Sequence, residues 1–122
     1  MELSELQKGL LSYSSQDDMG LWLIPWRITN SGTTDESHEI TRDKSLQIIR
    51  IMLENGWLVV GMPININGKV IFQLFPMSVD EAIDYVENEW NKLGRFPDMG
   101  EICWFRATPA GKQLANELGL LD

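Results

Sequence analysis

Between Val79 and Leu93 the apolar residues recur with a single helical period, and this segment constrains the chain more than any other. Stepping about 100° per residue from Asp80 brings Asp84, Glu87 and Asn91 within about 40° of it. Val79, Ala82, Ile83, Val86, Trp90 and Leu93 fall on the opposite side, in a sector roughly 100° wide. From Asp80 to Glu89 the carboxylates are Asp80, Glu81, Asp84, Glu87 and Glu89, with no Lys or Arg among them. Ser78-Val79-Asp80-Glu81 reads as a capping box of the form S-x-x-E, set just after Pro76. A helix of this kind buries one face against another layer and leaves an anionic face to solvent.

The remaining periodicities predict what that layer is. Leu3, Leu6 and Leu10, with Leu11 beside them, predict a helix over 2–13, followed by a polar connector at 14–18. Leu21 to Ile28 reads as a strand in which Trp22, Ile24, Trp26 and Ile28 share a face, and Pro25 implies an edge or a bulge. Thr29 to Glu39 is loop-like in composition. A helix is predicted from Thr41, as N-cap, to Glu54, with Asn55-Gly56 as its stop. Trp57–Met62 and Val70–Phe75 predict two strands of an antiparallel hairpin turning at Asn67-Gly68, the first of them apolar on both faces. After the acidic helix and a loop at 95–100, a last strand is predicted over 101–107. Thr108-Pro109 then opens a final helix to about Leu118. The order α-β-α-β-β-α-β-α defines one α+β domain over 1–122, with a mainly antiparallel sheet packed against helices.

Composition agrees with a folded globule: 122 residues, 43% hydrophobic, with five Trp. The balance of 10 basic to 18 acidic residues, net charge −8, with the cations scattered along the chain, sets it against nucleic acid and anionic membranes as partners. No apolar run approaches the ~20 residues of a membrane helix, and Met1-Glu2-Leu3-Ser4-Glu5 lacks the basic start of a signal peptide. With Cys103 as the single cysteine there is no disulfide framework. A cytoplasmic protein is the expectation.

Catalytic patterns are not found. The one histidine, His38, falls in Asp35-Glu36-Ser37-His38-Glu39, with no second His at metal-ligand spacing, and is expected to be simply solvated. Cys103 lies between apolar neighbours in a predicted strand, where a thiol is buried and inert. Acid–base catalysis needs two carboxyls in unlike environments within a cleft, whereas a solvated helix face gives like environments and no cleft. No phosphate-binding glycine loop or nucleophile elbow occurs. The expectation is a protein that is not an enzyme, with no catalytic residues, no cofactor and no metal. Trp57, Trp90, Trp104 and Phe105 are expected in the core, while Trp22 and Trp26 could form a sticky edge.

The run Glu101-Ile102-Cys103-Trp104-Phe105-Arg106-Ala107-Thr108-Pro109-Ala110-Gly111-Lys112 resembles the last wing strand and following helix of winged-helix proteins, with its aromatic strand leading into T-P-x-G and a basic residue. The predicted hairpin could serve as a wing. That resemblance implies a winged-helix derivative and, as the alternative function, a transcriptional regulator or adaptor, although no helix carries the basic pattern of a recognition helix. As a whole, the chain resembles in type the small acidic immunity proteins that accompany bacterial polymorphic or contact-dependent toxins. That resemblance implies a monomer or weak homodimer that binds and neutralises a cognate, basic toxin domain, a nuclease in the first instance. Asp80, Asp84, Glu87 and Asn91 are the candidate contacts, with Glu81 and Asn88 at their margin, and Asp35, Glu36 and Glu39 form a second candidate patch.

Overall fold

In the computed structural model, which describes residues 3–29 and 37–121, Ser4 caps the first helix, α1 (Glu5–Gln16). The Ser4 hydroxyl accepts from Gln7 N–H and the Gln7 side chain accepts from Ser4 N–H, a reciprocal box that the leucine spacing alone did not announce. The cap starts α1 at Glu5, later than the predicted residue 2; the helix also runs three residues past the predicted end, and Leu10 and Leu11 are fully buried.

The segment predicted as a strand over 21–28 is instead a short helix, α2 (Leu23–Ile28), preceded by a two-residue strand β1 (Met19–Gly20) just after the expected connector. The proline explains the difference. Pro25 sits in the first turn, where its missing N–H has no intrahelical acceptor to lose. Thr29 closes the helix, its N–H and hydroxyl both donating to the Pro25 carbonyl. The alternation of Trp22, Ile24, Trp26 and Ile28 was thus misleading: Leu21, Leu23, Ile24 and Pro25 are buried, and Trp26 points out, 47% exposed.

α3 (His38–Glu54) starts earlier than predicted, because Ser37 rather than Thr41 is its N-cap and accepts from Ile40 N–H. Thr41 is a buried interior residue, and its backbone carbonyl accepts from the Ser45 hydroxyl at 2.8 Å, which satisfies that buried side chain within the helix. The hairpin forms as predicted, with β2 (Leu58–Ile66) longer at its turn end and β3 (Lys69–Leu74) shifted by one residue, around Asn67 at φ 52° and Gly68 at φ 80°. Pro63 is paired with Phe72 of β3 at a non-hydrogen-bonded position and lies past Gly61, where pairing on the other side of β2 with the strand at 104–107 ends, so its missing N–H interrupts no ladder.

α4 (Val79–Leu93) has the predicted capping box at Ser78 and Glu81 and ends on Gly94 in the left-handed region, at φ 66°. β4 (Trp104–Ala107) is shorter than the predicted 101–107. Ile102 takes φ 70°, and Cys103 N–H turns back to the Glu101 carbonyl, a tight turn that a strand cannot contain. Thr108 and Pro109 open α5 (Pro109–Glu117) as predicted, Thr108 accepting from Gly111 N–H.

The described strands form one antiparallel sheet in the order β1-β4-β2-β3. Register divides it into two faces. Met19, Leu58, Val60, Phe105 and Ala107 point into a core completed by Leu10, Leu11, Ile49, Met52, Val86 and Trp90. Gly20, Val59, Gly61, Phe72, Leu74, Trp104 and Arg106 point the other way, where Trp22 lies over Gly20 and Phe72 over Gly61. The fold is α+β in one small domain, though α2 replaces a strand and the order becomes α-β-α-α-β-β-α-β-α.

Candidate interaction surface

α4 supplies the candidate surface, and α3 determines how much of it is free. The two helices run antiparallel: near one end the Trp90 indole N–H donates to His38 Nε2 at 2.8 Å, and near the other Arg50 meets Asp80. Ala82, Ile83, Val86 and Trp90 are buried, with Val79 and Leu93 at the margin, as the predicted apolar sector requires.

Of the predicted contact residues, three are engaged within the molecule. Arg50 donates to Asp80 Oδ1 at 2.6 Å, an arrangement that raises the pKa of the guanidinium. Arg42 donates to Asn91 Oδ1 at 2.8 Å while also holding Asp43. The Glu81 carboxylate accepts from Ser78 N–H at 2.9 Å, and that hydrogen bond holds its pKa below the ordinary carboxylate value. Asp84, Glu87 and Asn88 have no hydrogen bond or ion pair among the described residues. Asp84 and Asn88 are exposed, and Glu87 is half-buried. The face is therefore divided: Asp80 and Asn91 tie α4 to α3, and the unpartnered groups lie between them, within about one helical turn of one another.

In the second predicted patch, Glu39 is exposed in the first turn of α3, where the helix dipole favours a carboxylate. Asp35 and Glu36 lie outside the described residues.

His38 is not simply solvated. It is half-buried, its ring centroid 4.6 Å from Phe96 and 6.2 Å from Trp90, and its Nε2 is the acceptor for a Trp90 ring that is fully buried. That acceptor role places the ring proton on Nδ1. Sequence periodicity placed Trp90 in the core but could not reveal that its N–H needed a partner, nor that residue 38 would supply it.

Other chemistry is held down. Cys103 is buried, and burial pushes its thiol up to about 12, so no thiolate forms at neutral pH. Glu101 is bound by both terminal nitrogens of Arg95 and by Asp98 N–H, which lower its pKa to about 2. Arg106 clasps Asp18 through two hydrogen bonds and lies 4.6 Å over the Phe72 ring. Among the described residues no group of three His, Cys, Asp or Glu side chains converges to hold a metal ion, and no helix is long and apolar enough to cross a membrane.

These elements form one small α+β domain. Comparison with known proteins gives no match: no family model, no curated protein and no solved structure resembles the chain significantly.

Proposed function

We propose that this chain is a non-enzymatic binding protein that engages a basic protein domain through the anionic face of α4. The particular reading we favour is a cytoplasmic immunity protein that neutralises a toxin, with a nuclease toxin as the target. The observation that carries the proposal is the set Asp84, Glu87 and Asn88, left without internal partners among the described residues on a helix whose flanking polar groups are tied to α3. Free carboxylates on a rigid helix can stand where nucleic acid phosphates would stand on a basic enzyme. Their charge raises the association rate and the specificity, while a few desolvated anchors set the affinity. The arginines of α3 do not suit the alternative, a winged-helix regulator reading DNA, because Arg42 and Arg50 are committed to neighbouring side chains.

The test is calorimetric titration against the C-terminal domain of the protein encoded immediately upstream, at low and at high salt. Tight 1:1 binding that weakens with salt, and weakens about a hundredfold or more in the double variant Asp84→Lys, Glu87→Lys, is the expected result. Binding unchanged in the variant removes the α4 face from the reading. Retardation of duplex DNA at moderate salt, with no protein partner, favours the regulator.

A further inference from the structure

We propose that the free edge of β3 pairs antiparallel with β3 of a second copy of this chain, joining two four-stranded sheets into one of eight. This goes beyond the toxin-binding reading and does not depend on it. β3 is an outer strand of the sheet, and its residues are open: Val70 is 67% exposed, Leu74 55% and Ile71 40%. An exposed apolar edge is ordinarily blunted by proline, a bulge or inward charge. β3 has none of these, and its one charged residue, Lys69, stands at its first position.

The register shows which groups are free. Phe75 N–H donates to the Val60 carbonyl, so the pair 60–75 is a hydrogen-bonded one. The alternation of an antiparallel ladder then turns Lys69, Ile71 and Gln73 toward β2 and leaves the N–H and C=O of Val70, Phe72 and Leu74 facing outward. No bond to these outward groups occurs among the described residues. A two-fold axis at Phe72 places Phe72 opposite itself and Val70 opposite Leu74 of the other copy. In that single register every outward group of both strands finds a partner, in six hydrogen bonds. The side chains brought together, Val70 against Leu74 and Phe72 against Phe72, are all apolar and project on the same face.

Charge selects a second copy over an unrelated strand. The chain has 18 acidic residues and net charge −8, yet from Asn55 to Met77 it contains no carboxylate, and Lys69 is the only charged residue. Two copies of so acidic a chain repel over most of their surface, and the hairpin is where they can meet without facing carboxylates. Loss of charge from the centre of a patch is also the compositional mark of an interface. Phe72 is already held in place: its ring lies over Gly61, where a side chain would clash, and under the Arg106 guanidinium.

Two measurements on the full chain test this. Sedimentation equilibrium across a wide concentration range is expected to show a reversible change from 13.9 kDa to twice that mass. In Val70→Lys the dissociation constant is expected to rise about a hundredfold or more, with unchanged circular dichroism because the side chain is so exposed. A mass of one chain throughout, or a dimer indifferent to Val70→Lys, overturns the proposal. The register is tested by oxidation of Val70→Cys mixed with Leu74→Cys. Residues opposed in such a pair lie about 5.5 Å apart at Cα, within disulfide reach, and the buried Cys103 adds no background. Cross-linking in the mixture but not in Val70→Cys alone is expected. Cross-linking in Val70→Cys alone overturns the register.

Discussion

His38 illustrates how one residue can be misread when its neighbours in sequence are not its neighbours in space. Its flanking residues, Asp35 to Glu39, are polar and suggest solvent, but the ring closes a cluster with Trp90 and Phe96 and satisfies a buried indole. A buried donor that loses its acceptor costs more than the bond is worth, because the donor stays desolvated. His38→Ala is therefore expected to destabilise the fold by about 1–3 kcal/mol, measured by urea denaturation. Trp90→Phe removes the donor and most of that penalty with it. In the double variant His38→Ala, Trp90→Phe the histidine substitution should cost markedly less than it does alone. Additive losses would mean that His38 acts through ring packing with Phe96 and not through its nitrogen.

At the scale of elements, the sequence was most legible where several local signals coincided. The acidic helix had periodicity, a capping box and a terminal glycine, and α4 occupies the predicted residues. The hairpin had two β-rich runs around Asn67-Gly68, and its turn has the positive φ values those residues favour. Legibility failed where one pattern had two readings. Trp22 to Ile28 alternates like a strand, but Pro25 is equally at home in the first turn of a helix, and only the docking of Leu21, Leu23 and Ile24 into the core decides between them. The predicted strand 101–107 overshoots β4 because nothing in Glu101-Ile102-Cys103 signals that a β-branched residue adopts φ 70°. In the candidate surface, helical geometry located the anionic face, but the division between tied and free groups depends on Arg42 and Arg50, which lie 49 and 30 residues from their partners. The T-P-x-G run holds a further constraint of this long-range kind. Gly111 packs so closely on Trp57 that a Cβ there would overlap the Trp57 carbonyl oxygen, while that carbonyl also accepts from Thr108 N–H. Although alanine is the better helix former by about 1 kcal/mol, Gly111→Ala is expected to destabilise the chain by about 1–3 kcal/mol as α5 is forced off the sheet. Thermal denaturation checks the sign: a rise in Tm would show that the approach of α5 to the start of β2 can relax at no cost.

For the whole molecule, the distribution of charge separates the groups that hold the fold from those available to a partner. Most of the positive charge is spent internally: Arg42 on Asp43 and Asn91, Arg50 on Asp80 and Glu54, Arg95 on Glu101, Arg106 on Asp18, Lys92 on Glu89, Lys8 on Glu5. The excess carboxylates therefore repel one another with little compensation, and Asp84 and Glu87 belong to that excess. Reversing both to Lys changes the net charge from −8 to −4. It removes no hydrogen bond or ion pair among the described residues and sets a lysine one turn beyond Asp80, the favourable order for a helical ion pair, worth about 0.2–0.5 kcal/mol. The double variant is accordingly expected to be at least as stable as the parent near 10 mM salt, where the Debye length is about 30 Å. As salt rises to about 150 mM and that length falls to about 8 Å, the parent should gain more stability than the variant, because it has more self-repulsion to be screened. Urea denaturation of both proteins at the two salt concentrations decides this. A variant less stable than the parent by more than about 1 kcal/mol, a loss larger than exposed charges ordinarily contribute, would show that Asp84 and Glu87 help hold the fold. Equal or greater stability together with lost binding would mean that these carboxylates serve the partner alone.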